Sequence, residues 1–274
     1  MVASPSSFRR LALEEPFAII GERINPTGKK ALQVELRAGK FELVREFARE
    51  QSAQGAALLD VNFGLSGIDE TAMMRAGVAE LVRIGSTPLC IDSTRPETVE
   101  AALRLYPGRA LLNSISAEEE RLNKVLPIAA KYGAMLILLP LTDDGIPESA
   151  AERIEVLDRI LAEAARYGYT PADCAADALI MTISADRQAA AVSLDFIEHC
   201  SRQLKLNTVC GLSNVSFGLP ARATVNLTFL GMAIGRGLNC AIANPSAPGI
   251  VDAVIASDAL SGRDPQLDRY LAHH

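Results

Sequence analysis

The sequence predicts a single (β/α)₈ barrel, and three observations carry that prediction. The chain has 274 residues, close to the roughly 250 residues that such a barrel uses. Short apolar runs alternate with longer amphipathic stretches, and the alternation repeats eight times. The apolar runs are nearly continuous, as parallel strands are when both of their faces are covered.

Eight segments are predicted as strands because apolar residues fill them almost without interruption. In chain order they are Phe17–Gly21, Ala57–Val61, Pro88–Ile91, Ala110–Asn113, Ala134–Leu138, Ala175–Leu179, Thr208–Leu212 and Cys240–Ala243. An open doubly wound sheet is the alternative, and it usually carries a glycine-rich phosphate turn after its first strand. The segment Gly21–Pro26 lacks the GxGxxG spacing, which favours the closed barrel.

Helical signals fill the segments between the predicted strands. Apolar residues recur at helical spacing between residues 152 and 165, at Ile154, Leu157, Leu161 and Ala164. Three pairs have the spacing of a capping box: Ser149 with Glu152, Thr94 with Glu97, and Ser116 with Glu119. No segment is rich in Pro, Gly or Ser, so we expect one barrel domain over residues 16–262, between an N-terminal arm at 1–15 and a polar tail at 263–274.

Composition and charge narrow the class of protein. The formal net charge is −6, and an acidic surface repels phosphate backbones, so nucleic-acid binding is not expected. The longest apolar run is far shorter than the roughly 20 residues of a membrane span. The N-terminal residues lack the pattern of a signal peptide. These features predict a soluble, cytoplasmic protein.

Cysteine and histidine usage argues against a metal centre. The five cysteines show no CxxC spacing, and we expect them to be small buried residues rather than disulfide partners or zinc ligands. The chain has only three histidines, which leaves little material for a histidine-based triad or a histidine-ligated metal.

Polar side chains, most of them Asp or Asn, recur where the predicted strands end. They are Glu22, Arg23 and Asn25 after the first strand, Asp60 and Asn62 after the second, Asp92, Asn113 and Asp177 at the third, fourth and sixth, Ser213 and Asn214 after the seventh, and Asn244 after the eighth. Barrel enzymes carry their active sites at this end of the strands. A single Asp or Asn there is nevertheless more often a turn or helix cap.

Three of these residues have the strongest functional signal. Thr94 and Ser116 are predicted to cap the next helices, which leaves Asp92 and Asn113 free to face the barrel mouth. Asp177 lies in an apolar stretch, where an unpaired carboxylate is costly. Function is therefore the preferred interpretation for all three.

The same polar groups favour a neutral, planar ligand rich in hydrogen-bond donors. A carboxylate accepts two parallel hydrogen bonds from an amidine-like edge, such as that of a 2-amino-4-oxo pyrimidine. No lysine stands at a predicted strand end, which argues against a phosphosugar or a Schiff-base aldolase. Two other interpretations stay open: an ion pair between Glu22 and Arg23, and a phosphate cradled by the backbone of residues 211–214.

Five motifs stand in register along the chain: Ile19–Asn25, Leu59–Asn62, Ile91–Thr94, Leu112–Ser114 and Gly211–Ser216. Together they resemble the pterin-binding methyltransferase family. Its members are the methyltetrahydrofolate:corrinoid protein methyltransferases and the folate domain of cobalamin-dependent methionine synthase. The likeness covers residues 17–245 and implies a TIM barrel like that of the more distant dihydropteroate synthases.

The resemblance also implies roles for individual residues. Asp92, Asn113 and Asp177 match the positions that bind the pterin ring, and Asn214 matches the asparagine near the methyl-bearing N5, which makes it the expected catalytic residue. Further substrate contacts are expected at Asn25, Asp60, Asn62, Gly211, Ser213, Arg222 and Asn244. The chain departs from the family pattern in two places: Ala178 follows Asp177 where the family often has proline, and Phe217 follows Ser216 as in the methionine-synthase branch.

The activity that the resemblance implies is methyl transfer between N5 of a tetrahydropterin, methyltetrahydrofolate above all, and the cobalt of a separate corrinoid protein, in either direction. The chain lacks an Asp-x-His-x-x-Gly signature, so cobalamin is expected on the partner protein. The loop Leu141–Pro147 is the longest rim segment available for the ligand tail or the partner. Association into a homodimer is common in the family.

Two other functions stay open at this point. A dihydropteroate synthase-like enzyme would want a lysine and an arginine for a diphosphate, and the predicted strand ends lack the lysine. A non-catalytic pterin-binding subunit would bind folate without transferring a methyl group.

Overall fold

Two short strands, β1 (Val2–Ala3) and β2 (Phe8–Arg9), precede a barrel of eight parallel strands in the computed structural model, which describes all 274 residues. The barrel strands are β3 (Ala18–Ile24), β4 (Leu58–Val61), β5 (Leu89–Asp92), β6 (Leu111–Ser116), β7 (Met135–Leu139), β8 (Cys174–Asp177), β9 (Asn207–Val209) and β10 (Cys240–Ala243). From β3 to β9 each strand pairs with the next, and β10 pairs with β3. An isolated parallel bridge between Gly211, two residues beyond β9, and Ile242 of β10 closes the ring. The predicted (β/α)₈ barrel is confirmed.

Helices follow the strands and cover the outside of the barrel. They are α1 (Lys30–Arg37), α2 (Glu42–Ala53), α3 (Glu70–Ile84), α4 (Pro96–Leu105), α5 (Leu126–Tyr132), α6 (Ala150–Ala165), α7 (Ala189–Arg202), α8 (Arg222–Gly235), α9 (Ile250–Leu260) and α10 (Asp268–His273). A π-helical turn, Arg121–Val125, precedes α5, and a 3₁₀ helix, Leu212–Ser216, precedes α8. None of the helices has the length and apolar character needed to cross a membrane.

Several strands end elsewhere than the apolar runs predict. β3 continues to Ile24, so Glu22 lies within the strand and not after it. β6 continues to Ser116 through a register shift. β8 stops at Asp177, because Leu179 adopts a φ of +49° that a paired strand does not accept. β9 likewise stops at residue 209, since a 3₁₀ helix begins three residues later.

One of the three predicted capping boxes is confirmed. Glu152 N donates to Ser149 Oγ at 3.2 Å, and Ser149 N donates to Glu152 Oε2 at 2.9 Å. The other two are wrong. Helix α4 begins at Pro96 with Arg95 before it, and a proline in the first helical position needs no capped N–H. Ser116 is the last residue of β6 and caps no helix.

Alternation along the strands divides the apolar core in two. Outward side chains such as Ile91 and Leu112 pack against the helices in one large cluster. Inward side chains such as Leu58 fill the barrel in a second cluster. Val2 and Leu11 belong to this inner cluster, so the N-terminal segment covers the end of the barrel at which the strands begin. All five cysteines are buried and free, as predicted.

Candidate active site

A polar layer lies directly above the apolar interior of the barrel. Inward apolar residues on five strands are Ile20, Leu58, Cys90, Leu111 and Ala175. The residues two positions further along the same strands are Glu22, Asp60, Asp92, Asn113 and Asp177. Because side chains alternate along a strand, these five face the same interior at its C-terminal end. That is the end at which barrel enzymes hold their active sites.

Hydrogen bonds join four of the predicted site residues into one wall across β4, β5 and β6. Asn62 Nδ2 donates to Asp92 Oδ2 at 2.9 Å, and Asn113 Nδ2 donates to an Asp60 oxygen at 3.2 Å. Asp92 and Asn113 are register partners on neighbouring strands. Each carboxyl group in this wall therefore already accepts a hydrogen bond from a carboxamide, which orients it.

Burial raises the pKa of the carboxyl groups in this layer. It is the main cause of the raised pKa of Asp60, and the neighbouring Asp92 carboxylate raises that pKa further. Burial also raises the pKa of Asp92, against the opposing effect of the Asn62 amide. A layer of this kind holds protons at higher pH than exposed carboxylates do, because desolvation and like charges both disfavour ionisation.

Asp177 faces the interior from β8, two strands further round the barrel than β6. Leu179 N donates to its Oδ1 at 2.7 Å. Burial raises the pKa of Asp177 to about 6, while the Leu179 N–H and the charge of Arg153 favour its ionised form. Burial also raises the pKa of the neighbouring Cys210 thiol, so that thiol stays protonated and is a poor nucleophile.

Asn214 lies in the 3₁₀ helix after β9, and its side chain is exposed. Gly211 leaves room for it, because a Cβ at that position would lie 3.1 Å from Asn214 Nδ2. Arg222 donates from Nη2 to the Ser213 carbonyl at 2.8 Å and from Nε to Ser216 Oγ at 3.1 Å. Arg222 therefore stabilises the turn that carries Asn214.

Glu22 lies on β3 near this turn. Burial, the largest effect, raises its pKa, while the Ser213 side chain and the charges of Lys29 and Arg222 favour its ionised form. Lys29 Nζ donates to the Asn25 carbonyl at 3.1 Å. No lysine stands at a strand end, but the loop after β3 brings Lys29 close enough to Glu22 for its charge to favour the ionised carboxylate.

The open alternative of an ion pair between Glu22 and Arg23 does not hold in the structure. Adjacent residues of a strand face opposite sides, so Arg23 is directed away from the barrel interior. It pairs with Glu50 of α2 and lies 4.2 Å from the centre of the Phe47 ring.

Three asparagines among the predicted site residues make local turns. Thr27 N donates to Asn25 Oδ1 at 2.9 Å, Gly64 N to Asn62 Oδ1 at 2.8 Å, and Ser246 N to Asn244 Oδ1 at 3.1 Å. All three are Asx turns, in which an asparagine bonds the backbone two residues ahead. These turns give the asparagines a structural role, and the substrate contacts of Asn25 and Asn244 stay predictions.

A cavity of about 360 Å³ opens beside the wall, and Asp92 and Asn113 both line it. Asp143 lines it too, which places the rim loop after β7 at the site. Arg121 and Ser114 also line it, and the sequence did not single out either as a site residue. Arg121 carries no signal in the sequence because it lies on a helical turn and not at a strand end.

Comparison with known proteins identifies the family. A family model described as "pterin binding enzyme" matches residues 21–244. The chain belongs to the pterin-binding enzymes. Among curated members, it is 30% identical to the methylcorrinoid:tetrahydrofolate methyltransferase of Eubacterium limosum over 259 residues, which are 92% of this chain and 94% of the relative.

Other pterin-binding enzymes match over less of their length or at lower identity. The methionine synthase of Mycobacterium tuberculosis is 30% identical over 243 residues, and the match covers 83% of this chain but only 20% of that protein. Among solved structures, dihydropteroate synthase from Yersinia pestis has a TM-score of 0.71 at 15% identity, with 96% of this chain and 100% of that chain covered. One from Xanthomonas albilineans has a TM-score of 0.70 at 18% identity, with 91% and 93% covered. These structures establish the shared barrel fold.

Proposed function

We propose that this pterin-binding enzyme moves a methyl group between N5 of a tetrahydropterin, with methyltetrahydrofolate as its methylated form, and the cobalt of a separate corrinoid protein. The observation that carries the proposal is the 30% identity to a methylcorrinoid:tetrahydrofolate methyltransferase over nearly the whole of both chains. The match covers nearly the full length of both proteins, so it includes the whole barrel. The similarity to methionine synthase, also a methyl-transfer enzyme, points the same way.

Asp92, Asn113 and Asp177 are the residues that we assign to the pterin head. Its ring N–H and 2-amino group form a pair of parallel donors, which suits a carboxylate acceptor. The carboxamide of Asn113 can both donate and accept, as the mixed edge of the ring requires. The apolar layer beneath the three side chains excludes water from the bound ring and strengthens these hydrogen bonds.

Asn214 is assigned to N5. A tertiary amine is a poor leaving group, so charge must be stabilised on N5 as its bond to the methyl carbon breaks. An amide N–H that bonds N5 better in the transition state than in the bound substrate lowers that barrier. Because Asn214 is not an acid, the proton that N5 finally takes comes from water or from a neighbouring carboxyl group.

The corrinoid is assigned to a partner protein, and it supplies the cobalt centre that accepts or donates the methyl group. Asn214 is exposed at the mouth, where a second protein can reach a methyl group held beside it. Phe217, three residues further along, has 67% of its side-chain area exposed and adds apolar surface at the same rim. The same contacts serve transfer in both directions.

A dihydropteroate synthase-like activity has less support. The similarity to those enzymes is below 20% identity, whereas a methyltransferase matches at 30%. The two functions are separable by their products, because one joins a pterin to aminobenzoate and the other methylates a corrinoid.

In the decisive experiment, the protein is mixed with methyltetrahydrofolate and reduced cobalamin under anaerobic conditions. The formation of methylcobalamin is measured by its absorbance. We expect formation of methylcobalamin at a rate proportional to protein concentration. Tight folate binding without methylcobalamin would instead identify a binding subunit. Formation of pteroate from a pterin diphosphate and aminobenzoate would identify the synthase.

A further inference from the structure

Arg153 of α6 is a buried arginine whose hydrogen bonds go mainly to backbone carbonyls. Only 2% of its surface is exposed. Its Nη1 donates to the carbonyls of Ala178 at 2.9 Å and Leu179 at 3.0 Å, and its Nε donates to that of Pro147 at 3.2 Å. A buried charge is costly unless its partners are well placed, and here two of those partners, Ala178 and Leu179, belong to the turn directly after Asp177.

One peptide unit links this guanidinium to the Asp177 carboxylate. The carbonyl of Ala178 accepts from Arg153, and the N–H of the same peptide unit, that of Leu179, donates to Asp177 Oδ1 at 2.7 Å. The guanidinium therefore holds the plane of the peptide that orients the carboxylate. It also polarises that peptide, so the N–H becomes a stronger donor to the carboxylate. Leu179 itself has a φ of +49°, a conformation that needs support in a non-glycine residue.

The same pair of arginine-to-carbonyl bonds occurs at Asp92, whose carboxylate accepts instead from Asn62 Nδ2. Arg121, also buried, donates from Nη1 to the carbonyls of Ser93 at 3.2 Å and Thr94 at 2.9 Å. In both cases a buried guanidinium from a neighbouring helical segment bonds the first and second carbonyls after a strand-end aspartate. Two occurrences at equal offsets, on different elements, indicate a role tied to the aspartates.

We propose that Arg153 is a positioning residue for Asp177: it fixes the turn Asp177–Leu179 and thereby the direction of the carboxylate in the barrel mouth. The inference deepens the proposed function and rests on it, because the carboxylate so fixed is the one assigned to the pterin. Arg153 itself lies behind the turn and touches no ligand.

The charged and titratable groups around this carboxylate are few. Arg153 comes from α6, and the Cys210 thiol comes from the residue after β9. The charge of Asp186, on the loop before α7, favours the ionised form of Arg153. Arg153 is therefore the cation that favours ionisation of Asp177, whose pKa burial raises to about 6.

The test replaces Arg153 with Met and with Lys, and follows the Asp177 carboxyl by ¹³C NMR in the unliganded protein, with Asp177→Asn to assign the signal. We expect Arg153→Met to raise the pKa of Asp177 above its wild-type value of about 6. Arg153→Lys keeps the charge but loses the planar fork, so it should raise the pKa less. Arg263→Met is the matched control, because it removes an almost equally buried guanidinium, 8% exposed, that pairs with Asp258 at the opposite end of the barrel.

Tetrahydrofolate affinity gives the second readout. At pH 7 a rise of one unit in the pKa of Asp177 from about 6 lowers its ionised fraction about twofold, so we expect Arg153→Met to bind about twofold more weakly than wild type and to recover affinity at pH 9 as Asp177 ionises. A folded Arg153→Met or Arg153→Lys protein with unchanged Asp177 titration and unchanged affinity would overturn the proposal. Failure of the wild type to bind any pterin would overturn the proposed function instead, while the titration would still report on Arg153.

Discussion

A single carboxamide, that of Asn214, is expected to carry most of the catalytic effect of this chain. Its side chain is exposed at the mouth and has no hydrogen bond to the rest of the chain that would have to break before it reaches N5. Replacement by Ala should lower the methyl-transfer rate by about 10²-fold, the scale for losing one transition-state donor. Pterin affinity should change little, because the ring is held by other residues.

Single-turnover formation of methylcobalamin measures this rate, and calorimetry measures the affinity. Asn123→Ala is the matched control, since that asparagine is exposed on the π-helical turn, is not among the predicted site residues and should leave the rate nearly unchanged. An Asn214→Ala protein that works at the wild-type rate would remove the residue from the mechanism.

The buried carboxyl of Asp60 predicts a pH dependence of stability. Its pKa is raised in the folded state by burial and by the Asp92 carboxylate, above the value near 3.9 of an unfolded chain. The folded state therefore binds the extra proton, and this residue costs the protein stability as the pH rises from about 4 through the raised pKa. Asp60→Asn removes the titrating group, so the melting temperature of the variant should rise relative to that of wild type as the pH increases from 5 to 8.

Thermal melts of both proteins across that range test the prediction. The same substitution at the exposed rim residue Asp144 serves as the control and should leave the difference from wild type constant with pH. Parallel curves for Asp60→Asn and wild type would show that the carboxyl is not protonated in the folded protein.

At the scale of elements, the turn after β9 depends on a glycine for space and not for backbone freedom. Gly211 has an ordinary φ of −78°, but an added Cβ would lie 3.1 Å from Asn214 Nδ2, tighter than normal packing. Gly211→Ala should therefore displace the carboxamide and lower the methyl-transfer rate while the protein stays folded. Gly231→Ala, on the exposed face of α8 with nothing within 4 Å of the added Cβ, should keep the wild-type rate. Equal rates for the two variants would contradict this role.

Strand positions were predictable from the sequence because buried parallel strands need continuous apolar runs. All eight predicted strands overlap observed ones, and β10 has the predicted bounds. The ends of the strands were less predictable, since backbone geometry decides them. β8 stops just before Leu179, which has a positive φ, and the local sequence does not indicate that conformation. Two capping boxes failed because a Ser/Thr-x-x-Glu spacing also arises by chance beside Pro96 and inside β6.

The positions of the candidate site residues on strands were predictable for the same reason, whereas the arginines that come from helical segments were not. Asp60, Asp92 and Asn113 follow inward apolar residues by two positions, a pattern that the sequence contains. Arg121 and Arg153 reach the site from helical segments through tertiary packing, and helical periodicity would have placed a lone arginine in solvent. The loop that brings Lys29 over the mouth is equally invisible before the fold is known.

At the scale of the whole molecule, the candidate site and the apolar packing of the N-terminal segment lie at opposite ends of the barrel. The polar layer lies at the C-terminal end, where burial disfavours the ionised form of its carboxyl groups. The N-terminal end is closed by apolar packing of Val2 and Leu11 against the interior cluster. The C-terminal end can therefore hold buried carboxyl groups at a cost in stability, because the apolar packing at the N-terminal end stabilises the fold and does not take part in the candidate site.

The N-terminal hairpin therefore predicts a stability effect without a catalytic one. Val2 is fully buried in the barrel floor, whereas Phe8, on the partner strand, has 70% of its side chain exposed. Val2→Ala should lower the free energy of unfolding by about 1–3 kcal/mol, the usual cost of deleting buried methyl groups. Phe8→Ala should change the free energy of unfolding little, because the exposed Phe8 ring buries little apolar surface in the folded protein. Urea unfolding measures both, and methyl transfer per folded molecule should equal that of wild type. A Val2→Ala protein as stable as Phe8→Ala would mean that the hairpin rests on the barrel without closing it.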